Sequence, residues 1–396
     1  MSTVAQHQAQ RISLPRRPFP LTGGDSLPEV QVAVRTWGHY DANANRGAGN
    51  AVLICHALTG DQDPTTWWPG VVGVGRAIDP KLHFIIGQNV LGGCQGTTGP
   101  LSIDPASGRP WGLTFPSVQV ADMVAVQADL LEQLGVSHLW LVAGGSLGGM
   151  QALAWAMLHP GRLEHALVAC APWASPPMAI AWNEIGRQAI LLDPDFANGS
   201  DPSGQRAGRG LSVARMLAMT TYRSHQDLHQ RFGRDMLDSA TDPVFARSGP
   251  YATELPRTFR FAPHYQVESY LHYQGEKLRR RFDAFSYLYL TAAMDGFDGA
   301  QLTVGQLTGP LPRVHVLGVD SDLLYPEPSV REVCLQLGAL GYPASYQQLK
   351  SASGHDAFLL EGALVGREID ALLQDRTLPA AASLAAAAHG RSAGGR

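Results

Sequence analysis

The chain is poor in charge. Only 16% of its 396 residues are Asp, Glu, Lys or Arg, and the formal net charge is -4. No basic excess is available to follow a phosphate backbone, which argues against nucleic acid as a partner. No apolar run approaches the roughly 20 residues that span a bilayer. Residues 1–10 are polar and lack the apolar segment of a secretory signal, so the expectation is a cytoplasmic protein with no membrane partner. Arg11, Arg16 and Arg17 precede the first acid, Asp25, and read as part of a short solvated tail rather than a transit peptide. The four cysteines, Cys55, Cys94, Cys170 and Cys334, form no C-x-x-C pair and sit in or beside apolar segments. That excludes a thioredoxin-like motif and fits buried free thiols in a reducing compartment. His225 and His229 stand four apart, but no Glu lies between them and no third ligand is evident, so they read as a polar helix face and no metal is expected. Internal repeats are also missing.

What the chain has is apolar content, 45%, enough to bury a large core. Residues 30–37 alternate and are rich in Val, as a strand would be. Short stretches at 51–55, 83–90, 139–143, 163–170 and 313–319 read as strands, and 344–349 as the last one. Helical spacing recurs at 118–134, 149–158, 330–340 and 362–373. Strands alternating with helices imply βαβ units and a mainly parallel sheet with helices on both faces. In such sheets the site lies at the carboxyl ends of the strands, so the loops after Cys55, Val90, Ala143 and Cys170 should meet. Residues 1–27 read as irregular, 63–75 as a loop carrying Trp67 and Trp68, and 380–396 as a patternless Ala, Gly, Ser and Arg stretch. The texture changes over 175–305, where helical stretches such as 211–221 and 266–290 occur with no strong strand. The implied organisation is a core, 1–174 and 306–376, interrupted by a helical lid at 175–305 and followed by a disordered tail at 377–396.

The segment Gly144-Gly145-Ser146-Leu147-Gly148 reads G-x-S-x-G between an apolar strand and an apolar helix. That context is what a nucleophile elbow requires, and the fold it implies is the α/β-hydrolase fold. The Ser146 hydroxyl would be held out above the sheet at a helix N-terminus, with the backbone N–H of Leu147 facing an oxyanion. The second oxyanion donor is expected from the loop after strand 51–55, through the N–H of Leu58. A serine needs a base. His355 follows the last strand, in Ser353-Gly354-His355-Asp356, and is assigned that role by position. The acid should follow the preceding strand, where Asp320-Ser321-Asp322 lies, and on these grounds either aspartate could serve.

Several segments are more specific. Residues 56–61, HALTGD, and 89–100, NVLGGCQGTTGP, together with 144–153, GGSLGGMQAL, resemble the homoserine O-acetyltransferase family. So do 183–190, NEIGRQAI, 210–216, GLSVARM, 320–326, DSDLLYP, and 354–359, GHDAFL, in a match covering roughly residues 30 to 370. The resemblance implies ping-pong acyl transfer with no bound cofactor: Ser146 takes an acyl group from acyl-coenzyme A, and the homoserine hydroxyl then takes it from Ser146. It makes Asp322 the triad acid, and it binds the amino acid through Arg215 and Asp356, with Tyr222 lining the same pocket. A guanidinium fork suits the amino-acid carboxylate and a carboxylate suits its ammonium. Arg187 is a weaker candidate, equally suited to an ion pair within the lid. The family's usual state is a homodimer formed through the lid, and its pathway is methionine biosynthesis. Leu323 stands where the family often has an aromatic residue, and Leu101 where it has small or polar ones. These departures leave succinyl-coenzyme A as an alternative donor and serine as an alternative acceptor; acetyl is preferred as the commoner activity. A plain esterase on the same elbow is the more distant reading.

Overall fold

The computed structural model describes residues 9–196, 199, 208–237, 265–305 and 310–374. The stretch expected to form the tail, and the middle of the expected lid, lie outside the described residues.

Eight strands form one sheet: β1 (Gln10–Ser13), β2 (Gln31–Trp37), β3 (Ala51–Cys55), β4 (Phe84–Gln88), β5 (Leu139–Gly145), β6 (Leu163–Ala169), β7 (Arg313–Val319) and β8 (Ala344–Leu349). Their spatial order is β1-β2-β4-β3-β5-β6-β7-β8. The pairs β1–β2 and β2–β4 are antiparallel, and every pairing from β4 onward is parallel. Strand β3 is buried at every position, as is β4. Strands covered on both faces lose the polar alternation of a half-exposed sheet, which is why these segments read as continuous apolar runs.

Helices α1 (Val120–Gln133), α2 (Leu147–Leu158) and α8 (Glu327–Ala339) cover one face, and α9 (Gly362–Leu373) the other. Helix α2 is buried from Leu147 to Met157, so it is the core helix rather than an amphipathic surface one. Between β6 and β7 five α-helices are described: α3 (Pro177–Leu191), α4 (Gly208–Tyr222), α5 (His225–Phe232), α6 (Gln266–Arg279) and α7 (Ala284–Asp295). Helix α4 packs between α3 and α6 and also touches the turn at Gly354–Asp356.

Two sequence expectations fail here. Residues 9–27 are neither irregular throughout nor a solvated tail. β1 pairs with β2, Phe19–Pro20 pairs with Ser26–Leu27, and the segment is pinned to α1. Asp122 accepts from the N–H and hydroxyl of Thr22, and Arg16 pairs with Asp129 at 2.8 Å. The prolines that suggested irregular chain flank a short edge strand, where a missing donor is tolerated. The second failure is 266–290, read as one helical stretch. It is two helices, because Asp283 caps α7 by accepting from the N–H of Ser286.

The carboxyl ends of the parallel strands share one edge, and there the backbones touch. A Cβ on Gly148 would lie 2.1 Å from the Cys55 carbonyl oxygen, and one on Gly145 would lie 2.3 Å from the Phe358 ring. Helix α2 can approach β3 this closely only because Gly148 carries no side chain, and the Phe358 ring can reach the end of β5 only because Gly145 carries none. Gly148→Ala should therefore cost about 3 kcal/mol, the upper end of ordinary overpacking. Chemical denaturation would read this as a lowered midpoint at unchanged slope, and an unchanged midpoint would show that the contact can relax.

Candidate active site

Ser146 follows directly on β5 and precedes α2, with φ 58 and ψ -124. A side chain in that left-handed region is strained, and such strain persists only where the surroundings enforce it. Here they do: the Ser146 N–H donates to the Ala169 carbonyl at the end of β6 at 2.9 Å, and the residue is buried.

His355 sits in the turn after β8, and its Nδ1 lies 2.7 Å from Asp322 Oδ2. An ionised carboxylate only accepts, so Nδ1 carries the proton and Nε2 is left as a bare acceptor. Nε2 is buried and has no hydrogen-bond partner among the described residues. The other Asp322 oxygen accepts from the backbone N–H groups of Leu324 and Tyr325 at 2.8 and 2.9 Å. Asp320 points elsewhere: it is exposed and accepts from the N–H of Ser351 at 3.1 Å. Ser321, between them, donates to the Ser351 carbonyl and accepts from the N–H of Gly354. All three residues of the Asp-Ser-Asp segment thus grip the loop that carries His355, and only Asp322 reaches the ring.

Burial by itself would lower the His355 pKa. The negative charge of Asp322, its hydrogen bond and the charge of Asp356 outweigh burial and raise it. Tyr222, Tyr325 and Phe358 surround the ring at 5.6, 5.4 and 5.7 Å between centroids. The 63–75 stretch, expected as a loop throughout, braces this wall. It holds a short helix, Pro64–Trp67, capped by Asp63. The buried Trp68 beyond it donates its indole N–H to the Phe358 carbonyl at 2.7 Å.

The loop after β3 meets the loop after β4 through His56. Its Nδ1 faces the Ala57 carbonyl at 2.7 Å, and its Nε2 accepts from the Val90 N–H at 3.1 Å. Burial lowers its pKa and keeps it neutral in that tautomer. Two residues further on, the N–H of Leu58, like that of Leu147, is taken by no acceptor among the described residues. Arg281, just after α6, holds the same loop from outside through the carbonyl and hydroxyl of Thr59.

Among the charged candidates, Arg215 lies over the Tyr222 ring at 5.4 Å from its centroid and has no carboxylate within ion-pair distance among the described residues. Burial raises the Tyr222 pKa, with Arg215 pulling it down and Asp356 pushing it up, so the three lie within reach of one another's charge. Burial also raises the Asp356 pKa, against the pull of Arg215 and Arg223. Arg223, which the sequence reading passed over, lies 3.5 Å from Asp356 through Nε and 3.7 Å from Asp227 through Nη1. Its position just after α4 carried no motif; only the fold brings it to residue 356. Arg187 is committed elsewhere, to Asp295 at 2.6 Å and Glu184 at 2.9 Å, the ion pair its sequence context allowed.

Cys170, Asp322 and His355 offer ligand atoms within 4.8 Å of one another, as no other group of three does among the described residues. Both Asp322 oxygens are already engaged, and burial, then the charges of Asp322 and Asp356, hold the Cys170 thiol well above its usual pKa. The set does not fit a metal site, because the thiolate a metal needs is the disfavoured form.

If His355 must be neutral to accept a proton, kcat/KM should rise with pH through an apparent pKa above the ordinary imidazole value of about 6.5. Asp322→Asn should lower that midpoint and cut kcat by about 10⁴-fold through loss of tautomer control, whereas Asp320→Asn should cost far less. A pH–rate series on the three proteins checks this, and equal losses at both aspartates would contradict it.

The α/β-hydrolase fold family model matches residues 50–361. A homoserine O-acetyltransferase of Symbiobacterium thermophilum is 42% identical over 390 residues, covering 94% of this chain and 96% of the relative. One of Bradyrhizobium diazoefficiens is 45% identical over 359 residues, covering 87% of this chain and 85% of the relative. Among solved structures, homoserine O-acetyltransferase from Bacillus anthracis superposes with a TM-score of 0.77 at 22% identity, covering 94% of this chain and all of the other. Esterase E22 gives 0.75 at 24% identity, covering 92% of this chain and all of the other. The two structures share the fold, which hydrolases and transferases both use; the sequence relatives go further, and the chain belongs to the homoserine O-acetyltransferase family.

Proposed function

We propose that the chain transfers an acetyl group from acetyl-coenzyme A to the hydroxyl of L-homoserine, in methionine biosynthesis in the cytoplasm. The observation that carries this reading is charge at the site beyond what ester hydrolysis needs. A hydrolase requires a nucleophile, a base and an oxyanion site. Here two charges stand beside that machinery: Arg215, over the Tyr222 ring and with no ion-pair partner among the described residues, and Asp356, next to His355 in the chain, whose charge acts on that ring. They match the two ends of an amino acid, one cation for its carboxylate and one anion for its ammonium. Asp356 keeps a 3.5 Å contact to Arg223 through Oδ2, which holds the carboxylate in place.

The chemistry runs in two halves. His355 Nε2 takes the Ser146 hydroxyl proton as Oγ attacks the thioester carbonyl, and the resulting oxyanion is met by the N–H groups of Leu58 and Leu147. Collapse expels the thiol, which leaves with the proton from His355, and Ser146 carries the acetyl ester. Coenzyme A departs as co-substrate; no cofactor stays bound. Homoserine then enters with its carboxylate on Arg215, its ammonium on Asp356 and Tyr222 along its side. His355 deprotonates its hydroxyl, which attacks the ester and releases Ser146. Helices α3 to α7 act as a lid that keeps water from the acyl-enzyme. Succinyl transfer uses the same steps, and Leu323, half-exposed beside Asp322, is the position that keeps that alternative open.

The lid also suggests how two copies associate. Met178 and Ile185 on α3 and Leu192 at its C-cap recur at seven-residue spacing and are 60, 56 and 77% exposed. A seven-residue apolar row along a helix is the seam of helix pairing, and leaving it in water is unfavourable. We assign it to a homodimer formed lid to lid. Ile185→Glu should convert dimers to monomers in sedimentation, and an unchanged sedimentation coefficient would remove the seam from the interface.

Labelled acetyl-coenzyme A should leave label on the wild type and none on Ser146→Ala, whose turnover should fall by about 10⁶-fold. Arg215→Ala or Asp356→Ala should leave the first burst of coenzyme A nearly unchanged while lowering the second-order constant for homoserine by about 10²- to 10³-fold. Rapid turnover of the acyl-enzyme without homoserine would favour the esterase reading. A parallel assay with succinyl-coenzyme A, each donor with homoserine and serine, fixes the acyl group and acceptor.

A further inference from the structure

A chain of hydrogen bonds runs through the apolar core beneath Ser146. Gln127 on α1 and Gln151 on α2 are both fully buried. The indole N–H of Trp155 donates to Gln127 Oε1 at 2.5 Å, and Gln127 Nε2 donates to Gln151 Oε1 at 2.6 Å. Gln151 Nε2 then donates to two backbone carbonyls, that of Leu147 at 3.1 Å and that of His56 at 3.4 Å. The direction of the chain is forced. An indole can only donate, so the Gln127 oxygen faces Trp155, its nitrogen faces the Gln151 oxygen, and the Gln151 nitrogen faces the carbonyls.

Two fully buried amides are an expensive way to fill a core that Leu or Met would fill without desolvation. What they reach explains their presence. Leu147 bears one of the two N–H groups proposed to meet the oxyanion, and the His56 carbonyl lies one peptide before the other, that of Leu58. These two stretches belong to different elements: the start of α2 and the loop after β3. Gln151 is a side chain bonded to both. The 3.4 Å arm to His56 is long for such a bond, and it has room to shorten as charge develops at the site.

We propose that Gln151, oriented by Gln127, is a positioning residue that sets the separation of the Leu58 and Leu147 N–H groups and so the grip of the oxyanion site. This rests on reading Ser146 as a nucleophile served by those two donors. Misplacing preorganised donors lowers the rate of the chemical step while leaving ground-state binding alone.

The experiment uses the full chain and p-nitrophenyl acetate, which acylates Ser146 without needing homoserine or coenzyme A. Three variants are compared: Gln151→Met, Gln127→Met and Trp155→Phe. The acylation rate constant should fall about 10- to 100-fold for Gln151→Met, about 3- to 10-fold for Gln127→Met, and less than 2-fold for Trp155→Phe. Half-saturation should move less than 2-fold in all three. Phosphorylation of Ser146 by paraoxon, whose phosphoryl oxygen occupies the same site, should fall in the same order. Thermal midpoints are measured alongside. A core role alone would make rate follow stability, with Trp155→Phe no milder than the rest, and that pattern would overturn the proposal, as would losses confined to half-saturation. If Gln151→Met does not fold, Gln127→Met decides alone, and an unchanged acylation rate in it refutes the positioning role. Failure of the transferase reading shows separately, as acylation at Ser146 without homoserine-dependent turnover.

Discussion

The architecture of the site depends on a backbone contact with no side chain in it, the crossing of α2 over the end of β3 at Gly148 and Cys55. That contact brings the start of α2 within reach of the loop that follows β3. It also forces the tight turn that puts Ser146 in a left-handed conformation. The strain at Ser146 is held by the parallel sheet on one side, through its bond to Ala169, and by a wholly buried helix on the other. A surface helix could not resist it, because it would relax by tilting. The burial of α2, apolar along its length apart from Gln151, is thus part of the serine's geometry.

The same logic explains what could be read in the sequence. The elbow is local: strand, glycine turn and helix are contiguous from 139 to 158, so its pattern is complete within one window. The central parallel strands were legible because burial on both faces makes them nearly continuous apolar runs. β1 was not, since a four-residue edge strand beside prolines has no pattern of its own and is defined by its partner. The choice between Asp320 and Asp322 could not be settled by position, because both follow β7 and both bond to the His355 loop. The resemblance favoured Asp322, and the hydrogen bond to Nδ1 is to that residue. Arg223 and Gln151 escaped because their partners, Asp356 and His56, are distant in sequence and reached only by folding.

Asp356 illustrates how little of the site's electrostatics follows from its residue list. Adjacent to His355, it would be expected to act mainly on the imidazole, and its charge does help to raise the His355 pKa. Its own pKa is raised by burial, despite Arg215 and Arg223 nearby. A carboxylate in that state is undersupplied with positive charge. An incoming ammonium would relieve it, and the proton affinity that burial gives the carboxylate becomes affinity for the ligand's cation. Once occupied, Asp356 would also act less strongly on His355, lowering its pKa toward the neutral form that can deprotonate the acceptor hydroxyl.

The helices between β6 and β7 are tied to the site at points that do not touch the serine. Arg281 holds Thr59 on the loop of the proposed oxyanion donor, while Ser224 at the start of α5 bonds to the Ala352 carbonyl beside the His355 turn. Displacing these helices would therefore disturb the loop carrying Leu58 and the loop carrying His355 together. A cover joined in this way does more than exclude water. The arrangement proposed to seat an amino acid between Arg215 on α4 and Asp356 on the core would also hold the base and the oxyanion loop in register. An acyl-enzyme under a displaced cover would have both a looser oxyanion site and a misaligned base, so the same displacement that admitted water would slow its attack.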